Sequence, residues 1–274
     1  MKNLPRIANR LFFEPALITP AQHAAYCMFV ESHLTFQGQM PEDQTPDKPP
    51  APEMPEDMTE DSDTAIIRVH GTLVAHPEDI AMSECGCSME SLNAAIEAVE
   101  RDPKIERVIY DFRTPGGAVT MIPETARKIR YSRKETIAFT DSECCSGGIW
   151  LAAQCRRFYA TGSSRVGSVG VYTMCLDYSK ALEQRGVKVN AISAGKFKLL
   201  GAYWKELADE ERGKLQAGVD KIYAQFKDAM ETYRIVSDEN FGNGLVFDGE
   251  DAAAIGFTDG VVDSLEDVLD GMEE

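Results

Sequence analysis

The sequence predicts an α/β protein with a largely parallel sheet and flanking helices, on three observations. Short runs rich in β-branched and aromatic residues alternate with helical patterns, the order expected of βαβ units. One run, RVIYDFR (107–113), reads as a fully buried strand. Three glycine-bearing turns each follow a strand, where α/β sheets place their ligands.

The elements follow in order. AIIRVHGTLV (65–74) reads as a strand, and SMESLNAAIEAVERD (88–102) as an amphipathic helix opened by Ser88. RVIYDFR ends at the turn TPGGAV, and a helix is expected over about 122–133. TIAFTD (136–141) is the next strand, after which CCSGGIWLAAQC turns into another helix. RFYAT, SVGVY and VKVNAIS (187–193) read as further strands, with a helix around 177–185 between the last two. A long helix opens at Ala208, its following acids matched to the helix dipole, and runs to about Arg234.

Residues 41–63 break this pattern. Proline and acid dominate and aliphatic residues are nearly absent, so the stretch cannot bury enough surface to offset its ordering entropy. It is expected to be a disordered acidic linker between an N-terminal segment (1–40) and the main domain (64–274). The N-terminal segment carries a helical patch, PAQHAAYCMFVESHLTF, too small to stand alone and expected to dock on the main domain or a partner.

Composition excludes several functions. Lys+Arg of 28 against Asp+Glu of 45 gives a net charge of −17, which repels phosphate backbones and anionic lipid. Nucleic acid is therefore not an expected partner. Apolar runs such as 24–30 and 149–153 fall far short of the ~20 residues of a membrane span, and Pro5, Asn9, Glu14 and Pro15 interrupt any signal-peptide core. A cytoplasmic location is the expectation. Seven irregularly spaced cysteines argue against a disulfide framework. Cys85 and Cys87, or Cys144 and Cys145, lack the second pair or neighbouring His of a zinc site, so no metal and no cofactor are expected.

The chemistry concentrates in the three turns. In Thr114-Pro115-Gly116-Gly117, paired glycines permit positive φ and let backbone N–H groups face a substrate oxygen, although an ordinary tight turn has the same composition. In Cys144-Cys145-Ser146-Gly147-Gly148, a serine stands at a strand-to-helix junction. Its reading as a nucleophile beside an oxyanion-binding amide and its reading as a plain N-cap stand level. The third turn, Gly167-Ser168-Val169-Gly170, offers Ser168 as a supporting hydroxyl or a turn residue. None of His23, His33, His70 and His76 sits in a turn built to activate Ser146. Lys198, in Ser193-Ala194-Gly195-Lys196-Phe197-Lys198, is an alternative base if a dry pocket among Phe197, Leu199 and Leu200 keeps its amine uncharged; solvated loop lysines are commoner.

Six segments in this order carry a resemblance: VHGTL (69–73), YDFRTPGGAV (110–119), CCSGGIWLAA (144–153), VGSVGVY (166–172), SAGKFK (193–198) and VFDGEDAAAIGFTDGVVD (246–263). Together they resemble the signal peptide peptidase A family of serine proteases, relatives of the Clp protease subunit and the crotonases. The resemblance implies a Clp protease/crotonase-like fold and a Ser–Lys dyad. Ser146 would be the nucleophile and Lys198 the general base, while Ser168 would steady the lysine amine. Gly117 and Gly147 would donate oxyanion N–H groups, and Lys196 falls too early for the family's Gly-x-x-Lys pattern. The chain departs from that pattern at Leu199, where a polar residue is usual, and at Cys144-Cys145, where small residues are.

Residues 3–20, NLPRIANRLFFEPALITP, look like the N-terminal signature of the branch found in tailed phages and prophages, the capsid-assembly or head-maturation proteases. That likeness implies scaffold, portal or capsid proteins as substrates, and a homo-oligomer. The alternatives are a peptidase of membrane-derived signal peptides, or a non-catalytic crotonase-like assembly protein. An acyl-CoA enzyme is disfavoured by the lack of a basic pocket for the phosphates.

Overall fold

The computed structural model describes residues 16–18, 63–79, 86–234, 236 and 243–271. The helical patch predicted in the N-terminal segment and nearly all of the predicted linker lie outside these residues.

The described chain runs β1 (Ala16–Ile18), β2 (Thr64–His70), β3 (Thr72–Val74), β4 (Gly86–Ser88), α1 (Met89–Arg101), β5 (Arg107–Arg113), β6 (Gly116–Ala118) and α2 (Ile122–Arg130). It continues through β7 (Glu135–Thr140), β8 (Glu143–Cys145), α3 (Gly147–Ala152), β9 (Arg157–Ala160), β10 (Arg165–Gly167), α4 (Ser179–Gln184) and α5 (Asp209–Met230). It ends with β11 (Val246–Asp248), α6 (Gly249–Ala254), β12 (Gly260–Val261) and α7 (Leu265–Asp270).

The α/β class with a largely parallel sheet and flanking helices is the architecture observed. Five strands in the order β12-β9-β7-β5-β2 form the main sheet, and every pairing in it is parallel. Two smaller sheets, β1-β6-β3-β4 and β11-β10-β8, include the short strands β3, β6, β8 and β10 that follow the carboxyl ends of its strands. Each long strand thus hands the chain to a short strand in another sheet before the next helix. Val69, Tyr110, Phe112, Ala138 and Phe158 face a core shared with Leu92, Ile96, Ile129, Ile149 and Trp150 of α1, α2 and α3. The opposite face, through Ile109, Ile137 and Phe139, packs on Val268 of α7. Burial on both faces explains why β5 is buried from Val108 through Phe112, with Asp111 the one charged residue among them.

Local signals act as expected at α1, where the Ser88 side chain accepts from the Ser91 amide as an N-cap. Elsewhere tertiary context overrides pattern. The run 65–74, read as one strand, is two strands in two sheets, broken at Gly71, whose φ is 79°. The segment read as the turn TPGGAV contains a strand, β6. The strand read at SVGVY lies earlier, at β10, because Ser168 takes a left-handed φ of 56° and ends it. VKVNAIS forms no strand; its residues are exposed and it pairs with no described neighbour, and a strand without a neighbour leaves its backbone groups to water. The long helix ends at Met230, and Phe226 near its end stacks on Trp150 with ring centroids 4.6 Å apart. Just beyond it the buried Arg234 pairs with Asp259 at 2.5 Å and donates to the Cys155 carbonyl, tying this end to β9.

Candidate active site

The handover from main sheet to short strands builds the site. Thr114, fully buried between β5 and β6, holds three of the turns together. Its hydroxyl donates to the Gly71 carbonyl at 2.6 Å and accepts from the Gly116 amide at 3.1 Å. Its backbone N–H donates to Glu143, and its carbonyl accepts from Cys145, the residue before Ser146. Thr114 is a residue of this site to which the sequence assigns no role. Its hydroxyl beside a Pro-Gly-Gly turn was the available signal, since threonine is suited to bonding nearby backbone.

Ser146 follows β8 and opens α3 with φ 53° and ψ −113°, a left-handed conformation that costs a non-glycine residue about 1–3 kcal/mol. Its amide donates to the Gly167 carbonyl at 2.8 Å, and its carbonyl accepts from Trp150. Its side chain makes no capping hydrogen bond, which rejects the plain N-cap reading. Ser146 thus stands strained on a tight strand-to-helix turn, with a hydroxyl that does not cap its own helix.

The glycines around it are required by close approach. A Cβ on Gly148 would stand 2.5 Å from the Thr114 methyl. One on Gly116, whose φ is 100°, would stand 2.0 Å from the Leu17 carbonyl oxygen and 3.0 Å from the Gly147 nitrogen. The Pro-Gly-Gly turn therefore abuts the amide after Ser146. Gly117 lies one residue further along, register partner of Leu17 on one side and Leu73 on the other, and a Cβ there would meet the Leu73 carbonyl at 1.9 Å. Ser168 sits beside Gly167, its amide donating to the Leu245 carbonyl at 2.6 Å. Ser146, Gly147, Gly117 and Ser168 are thus brought into one region.

Lys198 is not brought there within a single chain. It lies between α4 and α5, where residues 183–196 are exposed throughout and Lys198 itself is exposed. Its amide donates to the Gly195 carbonyl, and among the described residues no hydrogen bond or ion pair engages its ammonium. Lys196, by contrast, pairs with Glu210 at 2.5 Å. His70 bonds Asp111 at 2.8 Å. It shares the strand parity of Ile66, which packs on the face opposite α3, so it points away from the Ser146 side. Among the described residues no group of three His, Cys, Asp or Glu is placed to hold a metal. The thiols of Cys144, Cys145 and Cys155 are buried, and burial raises all three, Cys145 and Cys155 to about 12. Among the described residues no helix is long and apolar enough to cross a membrane.

Comparison with known proteins adds the following. The chain is 26% identical over 288 aligned residues to capsid assembly protease C of Escherichia phage lambda, covering 97% of this chain and 65% of that protein. It is 28% identical to head-tail preconnector protein GP5 of Enterobacteria phage P21, covering 73% of this chain and 41% of that one. It is 24% identical to a putative signal peptide peptidase SppA of Enterococcus faecium, covering 76% and 62%. The chain therefore spans less than two thirds of each relative's length. Among solved structures, a mutant of the 1510-N membrane-bound stomatin-specific protease superimposes with a TM-score of 0.46 at 15% identity, covering 76% of this chain and 83% of that one. The model of peptidase family S49 matches residues 128–274, a span that includes Ser146, Ser168 and Lys198. With more than half of its length matched, the chain belongs to peptidase family S49.

Proposed function

We propose that the chain is a serine endopeptidase with Ser146 as nucleophile and Lys198 as general base. The observation that carries this reading is the strained backbone of Ser146, with its hydroxyl free of capping and the Gly116–Gly117 turn against the Gly147 amide. Strain of this kind persists where the surrounding structure over-determines it.

In this reading the uncharged Lys198 amine accepts the Ser146 proton as the hydroxyl oxygen attacks a peptide carbonyl. The amides of Gly117 and Gly147 hold the tetrahedral oxyanion. The protonated amine then gives its proton to the departing nitrogen, and water repeats the sequence on the acyl-enzyme. Ser168 steadies the amine. The exposed position of Lys198 means that the dyad closes only when its arm packs over a Ser146 site, which also removes the amine from water. The same arm exposes Val187, Val189 and, completely, Ile192, apolar groups that a homo-oligomer would cover.

The phage relatives support scaffold, portal or capsid proteins as substrates, cleaved in the host cytoplasm within the assembling head. Labelling with a fluorophosphonate tests the chemistry. Wild type is expected to label at one serine, and the Ser146→Ala and Lys198→Ala variants not at all. Labelling that persists in Ser146→Ala overturns the assignment. Incubation with prohead scaffold protein against synthetic signal peptides then separates the capsid role from the signal-peptide role.

A further inference from the structure

β1, only Ala16–Ile18, lies antiparallel along β6, with Leu17 opposite Gly117 and Ile18 opposite Gly116. It is joined to β2 through residues 19–63, so nothing in the local chain direction forces it to this edge. Yet the position it takes is the one next to the candidate nucleophile. The Leu17 carbonyl oxygen lies 2.0 Å from where a Gly116 Cβ would point, and the Gly147 nitrogen lies 3.0 Å from that same point. Leu17 also approaches Gly147 directly, its Cβ 3.5 Å from the place a Gly147 Cβ would occupy. Leu17 itself is fully buried in the main core cluster.

β6 has β3 on its other side, so the edge that β1 covers is the only edge β6 offers. An uncovered strand edge presents unpaired N–H and C=O groups, a template for an added extended chain. A peptidase acting at Ser146 needs an extended backbone held there, with a carbonyl delivered to the Gly147 amide. β1 supplies an extended backbone in that place, with the Leu17 carbonyl directed between the two glycine turns.

We propose that residues 16–18 are a built-in occupant of the substrate groove: a strand of the chain's own N-terminal segment that holds the β6 edge closed and is displaced when an extended peptide with an apolar residue in the Leu17 position binds. This rests on the proposed peptidase function of Ser146. The occupant competes through the same backbone bonds a substrate would use, so the fraction of open chains scales the apparent reactivity of the site.

The test is a reversible lock. Ala16 and Ala118 are register partners, and antiparallel partners stand within disulfide reach. The full chain carrying Ala16→Cys and Ala118→Cys is compared, oxidised and reduced, for its rate of fluorophosphonate labelling, with each single cysteine variant as control. Locking is expected to lower the rate by about tenfold or more, reduction to restore it, and Leu17→Asp, which disfavours the buried strand, to raise it. An oxidised form that labels within about twofold of the reduced form makes β1 a fixed wall and overturns the inference while leaving the peptidase intact. Absence of labelling in reduced and wild-type chains alike overturns the peptidase reading first, and the inference with it.

Discussion

The Ser146 amide donates to the Gly167 carbonyl at 2.8 Å, so the left-handed backbone of Ser146 is fixed by the strand beside it. Gly167 is itself backed by Leu245, whose carbonyl oxygen leaves 2.5 Å for a Cβ that glycine lacks. Ser146 is thus positioned by a main-chain bond from a distant strand, and its side chain is not spent on capping.

That arrangement sets stability against activity at position 146. Ser146→Gly is expected to abolish cleavage while stabilising the fold by about 1 kcal/mol through relief of the positive φ. Ser146→Ala is expected to abolish cleavage with little change in stability, since the hydroxyl caps nothing. Thermal denaturation of both variants beside wild type checks the ordering.

The glycines are expected to differ in what they tolerate. A methyl at Gly117 meets the Leu73 carbonyl at 1.9 Å, a backbone atom that cannot swing aside, so Gly117→Ala should cost about 3 kcal/mol or more. Gly147→Ala meets the Leu73 side chain at 3.2 Å and should cost about 1 kcal/mol. Urea midpoints compare the two, and equal losses would mean that β3 and β6 are not packed as described.

The dyad is expected to close between copies of the chain. Ser146 is buried while Lys198 stands on an exposed arm with Ile192 wholly uncovered. Mixing inactive Ser146→Ala with inactive Lys198→Ala should then restore part of the cleavage activity, because one partner keeps the serine and the other the lysine. Lys196→Ala should remain active, its exposed pair with Glu210 being worth under about 1 kcal/mol. A mixture with no recovered activity places the closure within one chain.

The Arg234–Asp259 pair is expected to matter for folding far from the chemistry. Asp259 also accepts from the Phe158 amide at 2.6 Å, and Arg234 is buried. Asp259→Ala strands that guanidinium and should cost about 3 kcal/mol, seen as a lower Tm with the labelling rate of the folded fraction unchanged.

Much of this was legible before any coordinates. The alternation of strands and helices determined the α/β class, because burying one face of each element requires that order, and Ser88 announced its helix through a side chain that bonds its own neighbours. The Ser-Gly-Gly and Pro-Gly-Gly turns marked the site, since only glycine admits such close backbone approach. What sequence alone left open depended on partners distant in the chain. The break at Gly71, the shift from SVGVY to β10, the clasp made by Thr114 and the failure of VKVNAIS to pair are each decided by which strand lies alongside. Whether the Ser146 side chain caps its helix was likewise open in sequence, because a cap and a nucleophile both need a serine before a helix. It turned on backbone torsion and on where the hydroxyl does not bond, quantities that exist only once β8, β10 and α3 are packed together.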